Sequence, residues 1–226
     1  MKEIDKYQDE FKLAGDLEKY KIVVDLGLSS GTLWMPYNIG ATSETDYGLY
    51  FQCGDTVGYT GDEALAHSTW STCPGNGGNS SYSSTSISAW DKEYLTNGVL
   101  KTDVDAAYVH TNGIAKMPTV AQCQELLNET NHSWVENYNG TGINGMKFVS
   151  KKDSSKYIFI PASGDAWNGS FYGVGNYGSL WSSSVNTSYA QYAYYLSFFS
   201  GLYGVRNYYY YYYRGYGMCV RGVVNV

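Results

Sequence analysis

The chain has 226 residues, a formal net charge of −6, a sequence pI near 5.0 and 25 tyrosines. That length suits one domain with a sizeable core. After Lys156 the only basic residues are Arg206, Arg214 and Arg221, so the sequence carries no electrostatic footprint for nucleic acid. No stretch approaches the ~20 apolar residues of a membrane span, and the opening MKEIDKYQDEFKLAG holds no apolar leader core.

Taken in chain order, Ile4, Tyr7, Phe11 and Ala14 recur at spacings of three and four, the stripe of an amphipathic helix. Residues 1–20 are read as a helical extension that either packs on the domain or joins copies into a homo-oligomer. The domain proper spans residues 21–226. IVVDLGL and GTLWMPYNIG, joined by SSG, read as a hairpin. Residues 58–88 are dominated by Gly, Ser, Thr and Asn, have little to bury, and read as a long surface insertion rather than a site. A helix is predicted around SAWDKEYL. A clearer one follows at PTVAQCQELL, where Thr119 and Gln122 form a capping box and Val120, Cys123, Leu126 and Leu127 an apolar face. GMKFVS and KYIFIP, linked by a polar turn, give another hairpin. The remainder has short strand-like runs between Gly, Ser, Tyr and Asn, so the fold class is α+β with few helices, short strands and long loops.

Motifs that carry chemistry are missing. Cys53, Cys73, Cys123 and Cys219 lack CxxC spacing, and His67, His110 and His132 are isolated, so no metal ligands are assigned. Buried free thiols are expected over two disulfides. GVGNYG matches the dinucleotide fingerprint in letters, but no apolar strand precedes it and SLWSSS rather than a helix follows. Downstream of Glu136 the only carboxylates are Asp153 and Asp165; there is no GxSxG elbow and no histidine after His132. No catalytic residue, cofactor or enzymatic activity is assigned. Sequons such as those at Asn128, Asn168 and Asn186 say little without evidence of secretion.

The strongest local signal is tyrosine. Residues 189–216 hold 12 of the 25, where average use would give about 3, and Tyr208, Tyr209, Tyr210, Tyr211, Tyr212 and Tyr213 are consecutive. Tyrosine offers a large, rigid, amphipathic contact surface for two side-chain torsions, which suits a binding face. It also forms strands, and a run of six does not say which side is buried; core packing and self-association stay open. The flanks YYLSFF and MCVRGVVNV read as strands that fix a register the run cannot.

VVDLGLSSGTLWMPYNIGAT, DYGLYFQCGDT, MPTVAQCQELL and YGSLWSSSVNTSYAQYAYYLSFFSG stand in an order that resembles the formylglycine-generating-enzyme-like branch of the C-type lectin fold. Within it the likeness is to the variable proteins of diversity-generating retroelements of bacteria and phages, over about residues 21–226. The resemblance implies a C-type lectin fold with a variable region at about residues 180–226. There, asparagine codons are rewritten by error-prone reverse transcription, and one first-position change turns Asn into Tyr. Such rewriting never yields Lys, Glu, Gln, Trp or Met, and none of these occurs in residues 192–217; Gln191 would be fixed by the template. The oxidase branch needs a pair of reactive cysteines, and only Cys219 follows Cys123. The calcium-dependent lectins use EPN or QPD with WND, and these are absent.

The function implied is ligand binding, with a non-diversified carbohydrate-binding lectin or adhesin, and an oxidase, as the alternatives. The expected contact positions are Tyr192, Tyr195, Ser197, Phe199, Tyr203, Gly204, Asn207, Tyr208 through Tyr213 and Tyr216. Tyr194, Leu196 and Phe198 alternate with three of them and are expected to point inward, and Trp181 is expected in the core. The expected partner is a protein or glycan on another cell or particle, with the chain on a phage tail or a bacterial surface.

Overall fold

The structure is a computed structural model that describes residues 22–200 and 211–225. The stripe of Ile4, Tyr7, Phe11 and Ala14 lies outside these residues. The first predicted hairpin is reduced to one bridge. Val24 and Trp34 exchange backbone bonds of 2.7 and 3.1 Å around a turn closed by Gly31 N–H to the Leu28 carbonyl. The strand β1 (Leu33–Trp34) then pairs with the last strand of the chain, so the two ends of the domain meet.

After β2 (Tyr50–Phe51) the polar insertion carries α1 (Gly61–Ala66) and leads into α2 (Ser84–Tyr94). It is a surface segment, yet a built one. Buried Asn76 donates to the carbonyls of Trp70, Asn79 and Ser81 at 2.9 Å each and accepts from the Ser83 N–H at 2.8 Å. One amide thereby satisfies the backbone of a loop that has little apolar surface to bury. Ser83 in turn caps α2 by accepting from the Ser86 N–H.

The strands β3 (Leu95–Thr96) and β4 (Val99–Leu100) form a short hairpin, followed by α3 (Ala106–His110) and α4 (Val120–Glu129). The α4 capping box of Thr119 and Gln122 is present in both directions, and Cys123 and Leu126 are buried on its inner face. Burial pushes the Cys123 thiol up to about 12, and all four cysteines are free and buried.

A three-stranded antiparallel sheet follows: β5 (Thr130–Val135), β6 (Gly145–Ser150) and β7 (Tyr157–Pro161). Its register runs unbroken, with Met146 opposite Ile160 and Phe148 opposite Ile158. The hairpin of β8 (Asp165–Trp167) and β9 (Ser170–Tyr172) precedes the long β10 (Tyr177–Val185) and β11 (Tyr192–Phe199). Then come β12 (Tyr211–Tyr213), β13 (Met218–Cys219) and β14 (Val223–Val224). The largest sheet runs β12–β11–β10–β13–β2, with β4 also on β10. Few helices and many short, mostly antiparallel strands in several small sheets make an α+β fold. GVGNYG opens a strand, β10, as its sequence context suggested.

The largest sheet lies between two apolar clusters. One gathers Trp34, Leu126, Met146, Phe148, Ile160, Leu180 and Phe198; the other gathers Phe51, Met117, Trp181, Val185, Ala193 and Met218. β10 is therefore covered on both sides, and residues 178–185 are all buried. Gly178 is required there, since a Cβ would overlap the Phe198 ring. Each large side chain so buried contributes roughly 1.5–3 kcal/mol. Arg221 is wholly buried as well, bonded to Asn38 Oδ1 at 3.0 Å and the Phe159 carbonyl at 2.9 Å. Burial pushes its pKa down to about 9, which leaves it charged at neutral pH. Among the described residues no helix is long and apolar enough to cross a membrane.

Candidate binding face

The tyrosines of β11 and β12 meet in register: Tyr192 opposite Tyr213, Ala193 opposite Tyr212, Tyr194 opposite Tyr211. Opposite residues of an antiparallel pair share a face, so the ambiguity of the tyrosine run is resolved where it enters β12. Tyr212 shares the Ala193 side and packs against the second apolar cluster, together with Tyr195. Tyr213 shares the Tyr192 side and is 40% exposed. The Tyr192 and Tyr213 rings stack at 5.1 Å, while Tyr195 and Tyr212 approach to 5.6 Å on the other side.

Because β12 ends the sheet order among the described residues, these rings wrap around that edge. Tyr216 closes the wrap. It meets Tyr212 edge-on at 4.2 Å and stacks on Trp167 at 4.4 Å with the planes 6° apart. Trp167 reaches Trp70 of the insertion at 6.1 Å, and Trp70 reaches Tyr213 and Tyr82 at 5.5 Å each. Aromatic pairs at these separations contribute about 0.5–1.5 kcal/mol each beyond area burial. The cluster is thus drawn from three segments: the insertion, the β8–β9 hairpin and the C-terminal strands.

Arg214, directly after β12, is fully buried and fixes this edge. Its guanidinium donates to both carboxylate oxygens of Asp91 on α2, at 2.5 and 3.0 Å. Burial opposes its charge, yet the bond to Asp91 keeps its pKa above the ordinary value. Under the face Trp181 is wholly buried, donating Nε1–H to the Phe51 carbonyl at 2.9 Å. A carboxyl group lies beside the rings. Asp165 on β8 is 3% exposed, accepts the Tyr177 hydroxyl on Oδ2 at 3.0 Å, and is pushed up to about 6 by burial in spite of that bond. Tyr177 is placed by Gly173, where a Cβ would strike its ring. Burial foremost, with Asp165 nearby, also raises the phenols of Tyr177, Tyr212 and Tyr216, so they remain hydrogen-bond donors at neutral pH.

Of the expected contact positions, Tyr192, Tyr212, Tyr213 and Tyr216 come together at this edge, with Tyr195 packed beneath them on Trp181. Ser197 and Phe199 are half-buried at the far end of β11, where Phe199 stands opposite Tyr177. At ~3.3 Å per residue Phe199 is about 23 Å from Tyr192 along the strand. Tyr211 belongs to β12; Tyr203, Gly204, Asn207, Tyr208, Tyr209 and Tyr210 lie outside the described residues. Leu196 and Phe198 are buried, whereas Tyr194 is only half-buried and Ala193, on the opposite side, is fully buried. The strand changes its buried side along its length because one apolar cluster covers each half.

Trp70, Tyr82, Trp167 and Asp165 were not among the expected positions. A signal for two of them existed: Trp70 and Trp167 stand isolated in polar stretches, STWST and DAWNG, where a large ring has no local apolar partner. What the face offers a ligand is ring surface, phenol donors and one buried carboxylate. No family model matches the chain, and no curated protein or solved structure matches it either.

Proposed function

We propose that the chain is a ligand-binding protein on a C-type lectin scaffold, of the kind diversified by retroelements, and that the ring-covered edge of β11 and β12 is its contact face. The observation that carries this reading is that three segments distant in sequence converge their aromatic rings on one sheet edge. A packed core would not need Tyr213 or Tyr172 left 40% and 47% exposed. Rings held by neighbouring rings lose little freedom on binding, which favours affinity per unit of contact. The partner in this reading is a protein or glycan on another cell or particle.

Two measurements test it. The first is the DNA beside the gene: an adenine-rich near-copy of the codons for about residues 180–226, next to a reverse-transcriptase gene, is the expected finding. Its absence, with identical sequence in this segment across copies of the gene, would leave a fixed adhesin. The second is binding to arrayed surface proteins and glycans by the native chain and by Tyr192→Ala/Tyr213→Ala. The double variant is expected to keep its melting temperature within a few degrees and to lose a target the native chain holds; undiminished binding would move the contact face elsewhere.

A further inference from the structure

The Asp165 carboxylate is half used. Tyr177 satisfies Oδ2, but Oδ1 is buried and has no hydrogen-bond partner among the described residues. A buried acceptor left without a donor costs about 1–3 kcal/mol, more when charged, so such groups are rare and call for a cause. From this, and on the reading of the ring cluster as a contact face, we infer that Asp165 is the floor of a subsite for an organic cation bearing N–H groups, an ammonium or guanidinium of the ligand, walled by Trp167, Tyr177, Tyr212 and Tyr216.

The walls suit that occupant. Tyr212 and Tyr216 lie within electrostatic reach of the carboxylate, and Tyr216 is stacked on Trp167, two residues from Asp165 on the same strand. Aromatic faces attract cations, most strongly where water is excluded. A carboxylate and π faces together select a positive group that can also donate.

Among the described residues no cation supplies this. Among the described residues, what offsets burial at Asp165 is the Tyr177 hydroxyl, a neutral donor. Arg214 is engaged by Asp91, and Arg221 by Asn38 and Phe159. Once Asp165 is ionised, its charge is buried without a described counter-ion, a costly arrangement that a bound cation would relieve. The site lies close to solvent. Asp165 stands directly opposite Tyr172 in the β8–β9 pair, so both side chains share a face, and Tyr172 is 47% exposed. The occupant must carry N–H because Oδ1 is an acceptor; a quaternary ammonium would gain the rings but leave the oxygen bare.

The probes are n-butylammonium and n-butylguanidinium, compared with 1-butanol and tetramethylammonium. Binding to the native chain is read from the ¹⁵N–¹H indole signals of its six tryptophans, with the Trp167 signal assigned by Trp167→Phe. The first two probes are expected to shift the Trp167 signal saturably, and the last two to bind at least about tenfold more weakly. Asp165→Asn, which retains an acceptor for Tyr177, is expected to weaken the cationic probes by about tenfold or more. Equal binding of 1-butanol or tetramethylammonium, an unmoved Trp167 signal with every probe, or full binding by Asp165→Asn would each overturn the inference. Should Asp165→Asn not fold, the charged-against-neutral comparison on the native chain decides alone. If the subsite fails while Tyr192→Ala/Tyr213→Ala still loses its target, the contact face stands and only its cation chemistry falls.

Discussion

The sheet of β5, β6 and β7 and the edge formed by β11 and β12 are both antiparallel, yet they are specified in different ways. In the first, register is continuous and alternate apolar side chains such as Met146 and Phe148 enter one cluster. In the second, the pairing of β10 with β11 slips between Trp181 and Val185, and β12 adds three described residues. Rings there rest on rings, and the edge is fixed by single anchors: Trp181 beneath and Arg214 with Asp91 at its end. Periodic apolar residues make a sheet that tolerates little change of pattern. A surface held by a few anchors leaves the residues between them exchangeable.

Removing the largest anchor tests that contrast most severely. Trp181→Ala is expected to lower the unfolding free energy by about 3–5 kcal/mol, as Phe148→Ala should in the other sheet, because each leaves a cavity in a closed core. Urea unfolding of both variants measures it; a near-neutral Trp181→Ala would mean that the edge rests on its rings alone. Next is Asp91→Ala, which strands the buried Arg214 charge. A loss of about 3 kcal/mol is expected, at the low end for a broken buried pair because the Asp91 side chain is 21% exposed.

A smaller effect, and one that depends on pH, belongs to Asp165. Its folded pKa of about 6 exceeds the ordinary carboxyl value of 3.8, so between these values the folded state holds the proton more tightly than the unfolded chain. Its contribution is therefore present below about pH 4 and is lost as pH rises through 6. Asp165→Asn does not titrate, so its stability relative to the native chain should rise by about 2–3 kcal/mol from pH 4 to pH 7. Melts of the two proteins across that range measure it; parallel curves would show an Asp165 with ordinary acidity. The smallest effect is expected at the rim. Tyr172→Ser, at a residue 47% exposed, should cost within about 1 kcal/mol, and a larger loss would make the rim part of the core.

The same contrast explains what could be read from sequence. α4 and the β6–β7 hairpin were legible because a capping box and alternating apolar residues are local signals. The strand at YYLSFF was legible too, but its sidedness was not, since two clusters cover opposite faces of β11 and no single alternation holds. Arg214 meets Asp91 across 123 positions, and a lone buried Asn76 organises the insertion. Neither leaves a periodic trace. The composition of the insertion suggested a surface excursion rather than a site, whereas its Trp70 and Tyr82 belong to the ring cluster.

That last contact bears on inheritance. Under the proposed function, rewriting reaches only about residues 180–226, while Trp70, Tyr82 and Trp167 are encoded upstream of it. Every descendant of the gene would carry the same three rings, whatever its tyrosines become. A population of such variants would then explore not all of chemical space but the neighbourhood of one constant aromatic foundation, and its members would share a faint common taste for the same flat or cationic groups.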